Sequence, residues 1–209
     1  MTADKPIRIF LPDTGLLISL ALGDALDLLL LVADDVRLVL TDVVEFEAAY
    51  RADRFADAAA IRAFLHANAK RVEVIPTTIG RMALDDLRRR AESGESASLP
   101  KDLGELSITS FVISLRTTNP GEPMLVLMED DWFAANAYAL PGNVHLLSTS
   151  AWLDGLQALG LIPSAAALRA KIRAARPNCR AELLVDKAAE KIAAGTEWRS
   201  SFRRRARST

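Results

Sequence analysis

The chain has 209 residues, 50% hydrophobic and 25% charged, which is enough for one substantial core and too little for two ordinary domains with linkers. Lys plus Arg number 26 and Asp plus Glu 27, a formal net charge of −1, so the field of the whole chain does not hold nucleic acid or an anionic membrane, and any polyanion must be bound locally. The single cysteine, Cys179, excludes an intramolecular disulfide framework and a zinc site built on several thiolates, and it fits a reducing, cytoplasmic compartment.

The opening Met1-Thr2-Ala3-Asp4-Lys5 is not a cationic lead into an apolar segment, so no signal peptide is expected. The most membrane-like stretch, residues 16–33, carries Asp24 and Asp27 and is too interrupted to supply the roughly 20 apolar residues of a span. A soluble protein with no membrane partner is expected.

In chain order, Ile7-Arg8-Ile9-Phe10-Leu11 reads as a first strand that stops at Pro12-Asp13-Thr14-Gly15, before a Leu-rich stretch of helical length. Val36-Arg37-Leu38-Val39-Leu40 reads as a second strand, and Thr41-Asp42 can cap a helix reaching about residue 54. A helix is expected over residues 55–68, a strand at Val72-Glu73-Val74-Ile75, and a helix from Thr77-Thr78 toward Arg90. Residues 93–100 are rich in Ser and Gly and read as an exposed loop before a helix over 103–115.

Met124-Leu125-Val126-Leu127-Met128 is a continuous apolar run ending at Glu129-Asp130-Asp131, the pattern of a strand buried on both faces. Val144-His145-Leu146-Leu147 gives another strand, Ser148-Thr149-Ser150 a cap for the helix over 151–159, and helical patterns continue from Ser164 and over 180–194. Strands alternating with helices, without hairpin signals, predict an α/β fold: a three-layer sandwich with a central parallel sheet, plus extra C-terminal helices.

In such a sheet the carboxyl ends of the strands open onto one crevice, where Asp13 can meet Asp130 or Asp131. Asp42 and Glu45 have capping-box spacing, whereas Glu47 falls on the apolar stripe of its helix, where an uncompensated carboxylate is costly. Asp102 and Glu105 also have capping-box spacing, yet Glu105 shares a stripe with Ile108 and Val112 and can face inward, and Gly104 permits close approach of another backbone. Carboxylates converging without Lys or Arg between them repel unless a divalent cation neutralises them, and oxygen-only ligation suits Mg²⁺ or Mn²⁺. The same acids also serve as ordinary helix caps, so spacing alone leaves both roles open.

Asp13-Thr14-Gly15-Leu16-Leu17-Ile18 resembles the opening motif of the PIN-domain nucleases, and Val44-Glu45-Phe46-Glu47 their second motif, in the register that selects Glu47. Gly104-Glu105-Leu106-Ser107-Ile108 is similar to a Gly-Glu-x-Ser third motif, with one residue fewer before Ile108. Leu127-Met128-Glu129-Asp130-Asp131-Trp132-Phe133 resembles the fourth, selecting Asp130 as ligand with Asp131 as its neighbour.

The resemblance implies a nuclease domain over residues 1–163, with 164–209 as a helical extension and basic tail. It implies Asp13, Glu47, Glu105 and Asp130 as catalytic and, with Asp131, as metal ligands, Mg²⁺ or Mn²⁺ as cofactor, and hydrolysis of RNA phosphodiesters by a metal-activated water. Small bacterial members are toxins, so an antitoxin protein, and beside it a second copy of the chain, are candidate partners. The alternative is a catalytically degenerate PIN-like protein-interaction module. A phosphotransferase using Asp13 covalently is disfavoured by Gly15, where a second aspartate is wanted. Trp132, Trp152 and His145 read as structural residues, and Cys179 has no motif of a nucleophile. Arg199, Arg203, Arg204, Arg205 and Arg207 read as a solvated terminus or a local polyanion contact, and Trp198 and Phe202 as a last helical turn or a base-stacking pair.

Overall fold

The computed structural model describes residues 7–129, 132–136, 140–176 and 197–202. Asp130, Asp131, Cys179, the helix expected over 180–194 and the arginines after Phe202 lie outside the described residues.

Five parallel strands form one sheet: β1 (Ile9–Pro12), β2 (Arg37–Thr41), β3 (Val72–Ile75), β4 (Met124–Met128) and β5 (Val144–Ser148), in the order β3-β2-β1-β4-β5. Every residue of β1 and β4 is buried, which is why both read as unbroken apolar runs. Between and after the strands lie α1 (Thr14–Leu22), α2 (Asp42–Ala49), α3 (Ala56–Ala67), α4 (Thr78–Glu92), α5 (Leu103–Thr118), α6 (Trp132–Ala135), α7 (Thr149–Ala158) and α8 (Ala165–Ala175). A central parallel sheet flanked by helices is the expected three-layer α/β sandwich.

The Leu-rich stretch after Asp13 is not one helix. The chain breaks at Gly23, passes through Asp24 at φ 54° and resumes as a 3-10 helix over Leu26–Leu31. Neither expected capping box forms. Thr41 is the N-cap of α2, its Oγ1 accepting from Val44 N at 3.4 Å, which puts Glu45 one residue beyond the box position. Asp42 turns instead to the start of α4, where Oδ1 accepts from Thr77 Oγ1 at 2.9 Å and Oδ2 from Thr77 N at 3.1 Å. Asp102 caps α5 in the left-handed conformation, φ 59°, without a side-chain cap bond.

The core also includes residues near the end of the chain. A 3-10 turn over Glu197–Ser201 delivers Trp198 and Phe202, 6% and 5% exposed. Phe202 stands edge-on to Phe10 of β1 with ring centroids 5.5 Å apart and meets Trp152 of α7 at 6.2 Å. Val32 bridges to Phe202, and Ala33 N donates to Ser201 O at 2.8 Å. Trp198 packs directly on Gly155, whose hydrogen leaves room that a methyl group would take. Of the two roles open to Trp198 and Phe202, packing as a helical turn is the one adopted, and this corrects the solvated terminus expected from Trp198 to Phe202. Ile162, Ala165, Trp198 and Phe202 belong to the same core as β1 and β4. Among the described residues, no helix is long and apolar enough to cross a membrane.

Candidate functional site

The chain leaves the β2–β3 side of the sheet after β3 and crosses to β4 on the other side of β1. The β1–β4 boundary is thus the point where winding reverses, and there the loops beyond the carboxyl ends separate to leave a crevice. β1 and β4 run side by side with Pro12 opposite Leu127, so Asp13 and Glu129 emerge together.

Asp13 is 4% exposed and is the N-cap of α1. Oδ1 accepts from Leu16 N at 2.7 Å, and Oδ2 accepts from Glu129 N at 2.9 Å. Both bonds fix the orientation of the carboxyl group at the N-terminus of α1. Thr14 follows, and its Oγ1 donates to Glu47 Oε2 at 2.8 Å.

Glu47 projects from α2 toward Gly104 in the first turn of α5. A Cβ placed on Gly104 would lie 2.6 Å from Glu47 Oε2 and 3.3 Å from Thr14 Oγ1. The close approach that Gly104 permits is therefore that of a carboxylate and not of another backbone. Burial pushes the Glu47 carboxyl above its ordinary value, against the hydrogen bonds from Thr14 and from the Gly104 backbone, and Asp102 adds a further rise. Glu45, two residues earlier on α2, is raised by burial and by the neighbouring charge of Asp42.

Glu105 is partly buried in the first turn of α5, and its stripe mates Ile108 and Val112 are core residues. The structure thus brings Asp13, Thr14, Glu47 and Gly104 to one edge, with Glu105 next in the chain. Asp130 and Asp131 lie outside the described residues. Beside Glu47, an open groove of about 420 Å³ is lined by Phe46, Tyr50, Arg51 and Phe55, among others. Phe46 and Tyr50 are stacked there with centroids 4.3 Å apart.

Glu129, Ser19 and Arg176 form a second cluster beside Asp13, one that no sequence motif announces. Glu129, 5% exposed, sits against Gly15, where a Cβ would lie 3.1 Å from Glu129 Cβ. Ser19 Oγ donates to its Oε2 at 2.8 Å, and Arg176 Nη1 reaches both Ser19 Oγ, at 2.7 Å, and Glu129 Oε2, at 3.1 Å. Burial raises the Glu129 carboxyl, opposed by Ser19, by the Arg176 charge and by Thr149. The acidic triplet signals Glu129 in the sequence, whereas nothing local marks Arg176 as its partner.

The donor set fits a hard divalent cation in kind, being oxygen only, without thiolate or imidazole. Among the described residues, no group of three or more His, Cys, Asp or Glu side chains is arranged to hold a metal ion. No protein-family model, curated protein or solved structure matches the chain.

Proposed function

We propose that the protein is a Mg²⁺- or Mn²⁺-dependent ribonuclease acting at the β1–β4 crevice in the cytoplasm. The observation that supports this most is the meeting of Thr14, Glu47 and Gly104, three residues from separate sequence motifs, beside Asp13 at the reversal point of the sheet. A bound cation would polarise the scissile phosphodiester and lower the pKa of a water that attacks it. Asp13, held by two backbone N–H groups, supplies a fixed negative charge. Glu47, steadied by Thr14 and Gly104, supplies a second carboxylate whose burial cost a cation relieves. Glu105, Asp130 and Asp131 complete the proposed ligand set, RNA is the proposed substrate, and an antitoxin protein is the partner that accompanies this assignment.

A titration of Mn²⁺ followed by thermal melting tests the proposal, because a cation held only by the folded chain raises the melting temperature by mass action. The expected result is a rising midpoint together with Mn²⁺-dependent cleavage of single-stranded RNA. A second assignment, a degenerate protein-interaction module, is favoured by the lack of a three-carboxylate group among the described residues. A melting curve unchanged at millimolar Mn²⁺, with intact RNA, would decide for it.

A further inference from the structure

We propose that Arg176, at the end of α8, is a positioning residue for the crevice: it fixes Glu129, and through the Glu129 backbone it fixes Asp13. This rests on the ribonuclease assignment for its catalytic consequence and on geometry for its structural one.

The connection is short and continuous. Arg176 Nη1 donates to Glu129 Oε2 at 3.1 Å and to Ser19 Oγ at 2.7 Å, and Ser19 Oγ passes its own proton toward the same carboxylate at 2.8 Å. The Glu129 side chain is 3% exposed and that of Arg176 25%, so one charge is sealed in and the other reaches it from the rim. Among the described residues, Glu129 Oε1 has no hydrogen-bond partner of ordinary geometry. Ser19 and Arg176 both anchor the carboxylate through Oε2. The same residue's N–H holds Asp13 Oδ2 at 2.9 Å, so the peptide that orients Asp13 cannot shift without disturbing the buried pair. A buried carboxylate that loses its guanidinium partner moves toward water, and that movement releases the peptide.

α8 lies beyond residue 163 but packs on α1 and α7, with Ile172 fully buried. Through Arg176 it reaches the crevice, so the C-terminal extension contributes to the site.

The test uses the full chain with Arg176→Gln, Arg176→Lys and Ser19→Ala, measuring hydrogen exchange at the Glu129 amide and the separate kcat and KM for single-stranded RNA in Mn²⁺. In Arg176→Gln, Glu129 exchange rises and kcat falls, each about tenfold, while KM stays within about twofold, as expected when a reacting group is misplaced and binding is unaffected. Arg176→Lys recovers part of both, and Ser19→Ala shows the same pattern more weakly. A folded Arg176→Gln protein with wild-type protection at Glu129, or with wild-type kcat, overturns the proposal. If the wild-type chain cleaves no RNA, the ribonuclease assignment fails by itself, and Glu129 exchange alone decides the role of Arg176. Where Arg176→Gln does not fold, Ser19→Ala decides: unchanged exchange and kcat there overturn the proposal as well.

Discussion

Glu47 occupies the space that a side chain at position 104 would fill, its Oε2 standing 2.6 Å from where a Cβ on Gly104 would be. The same oxygen accepts the Thr14 hydroxyl at 2.8 Å. Because Thr14 directly follows Asp13, the missing side chain on α5 lets the α2 carboxylate reach the start of α1.

Gly104→Ala is expected to displace Glu47 while leaving the fold intact. Alanine favours helix by about 1 kcal/mol over glycine, which offsets part of the local crowding. Moving a reacting group by about 1 Å can cost on the order of 100-fold in rate. Cleavage of single-stranded RNA should fall by that order, with a melting temperature near that of the wild type. Undiminished cleavage would remove Glu47 from the reaction.

Glu47→Gln and Glu45→Gln separate stability from function. Both carboxyls are raised, chiefly by burial, above their ordinary 4.5. A raised carboxyl means that the folded state holds its proton to higher pH than the unfolded state, so stability falls as pH climbs from about the unfolded pKa through the folded one. The amide variants lack this loss. Each should melt above the wild type at pH 7.5, with the gap closing toward pH 4, while only Glu47→Gln abolishes RNA cleavage. Loss of activity in Glu45→Gln alone would show that the wrong carboxylate of α2 has been assigned.

Asp13→Asn should cost stability as well as activity. Both Asp13 oxygens accept backbone N–H groups, and an amide presents only one acceptor, leaving either Leu16 N or Glu129 N facing an NH₂ group. A loss of about 1 kcal/mol, typical of a weakened N-cap, is expected in denaturant unfolding. An unaltered unfolding midpoint would mean that those two bonds do not operate in solution.

Truncations at the C-terminus should differ sharply. Ending the chain after Glu197 removes Trp198 and Phe202, both core residues, and losing even one large buried aromatic costs about 3–5 kcal/mol. Ending it after Phe202 keeps both rings and removes the arginines at 203, 204, 205 and 207. The first protein should melt far below the wild type. The second should keep its stability and isolate any contribution of those arginines to RNA affinity, read from the salt dependence of binding. Equal melting temperatures for the two would contradict the packing of Trp198 on Gly155.

The strands were legible because burial on both faces leaves one kind of sequence, as in Met124-Leu125-Val126-Leu127-Met128, where every residue is inaccessible. The cap of α2 was not. Thr41 and Asp42 are both competent caps, and the choice is settled by Thr77, which engages Asp42 from far along the chain. Thr14, Glu47 and Gly104 each fall after a strand or in the first two turns of a helix, which places them at one edge of the sheet, but the seating of the Glu47 carboxylate on Gly104, where another backbone was expected, left no mark in the sequence. The Glu129–Arg176 pair could not be anticipated either, because an ion pair across 47 positions leaves no periodic trace. Trp198 and Phe202 were ambiguous for a similar reason. A spacing of four fits a packed helical turn as well as an exposed one, and only Gly155 and Phe10 decide between them.

The ring contact between Phe10 and Phe202 closes a loop that runs from residue 10 to residue 202. Phe10 belongs to β1, yet its edge-on neighbour is made only after β5 and α8. Closing so long a loop carries an entropic cost that local helices and neighbouring strands do not meet, and contacts of this separation slow folding. A growing or prematurely ended chain can assemble its sheet while the surfaces of Phe10 and Trp152 stay uncovered, and such apolar surface favours aggregation. Completion of this core thereby waits for the synthesis of Phe202, and a chain that stops short of it differs from one that includes it by a sticky aromatic face.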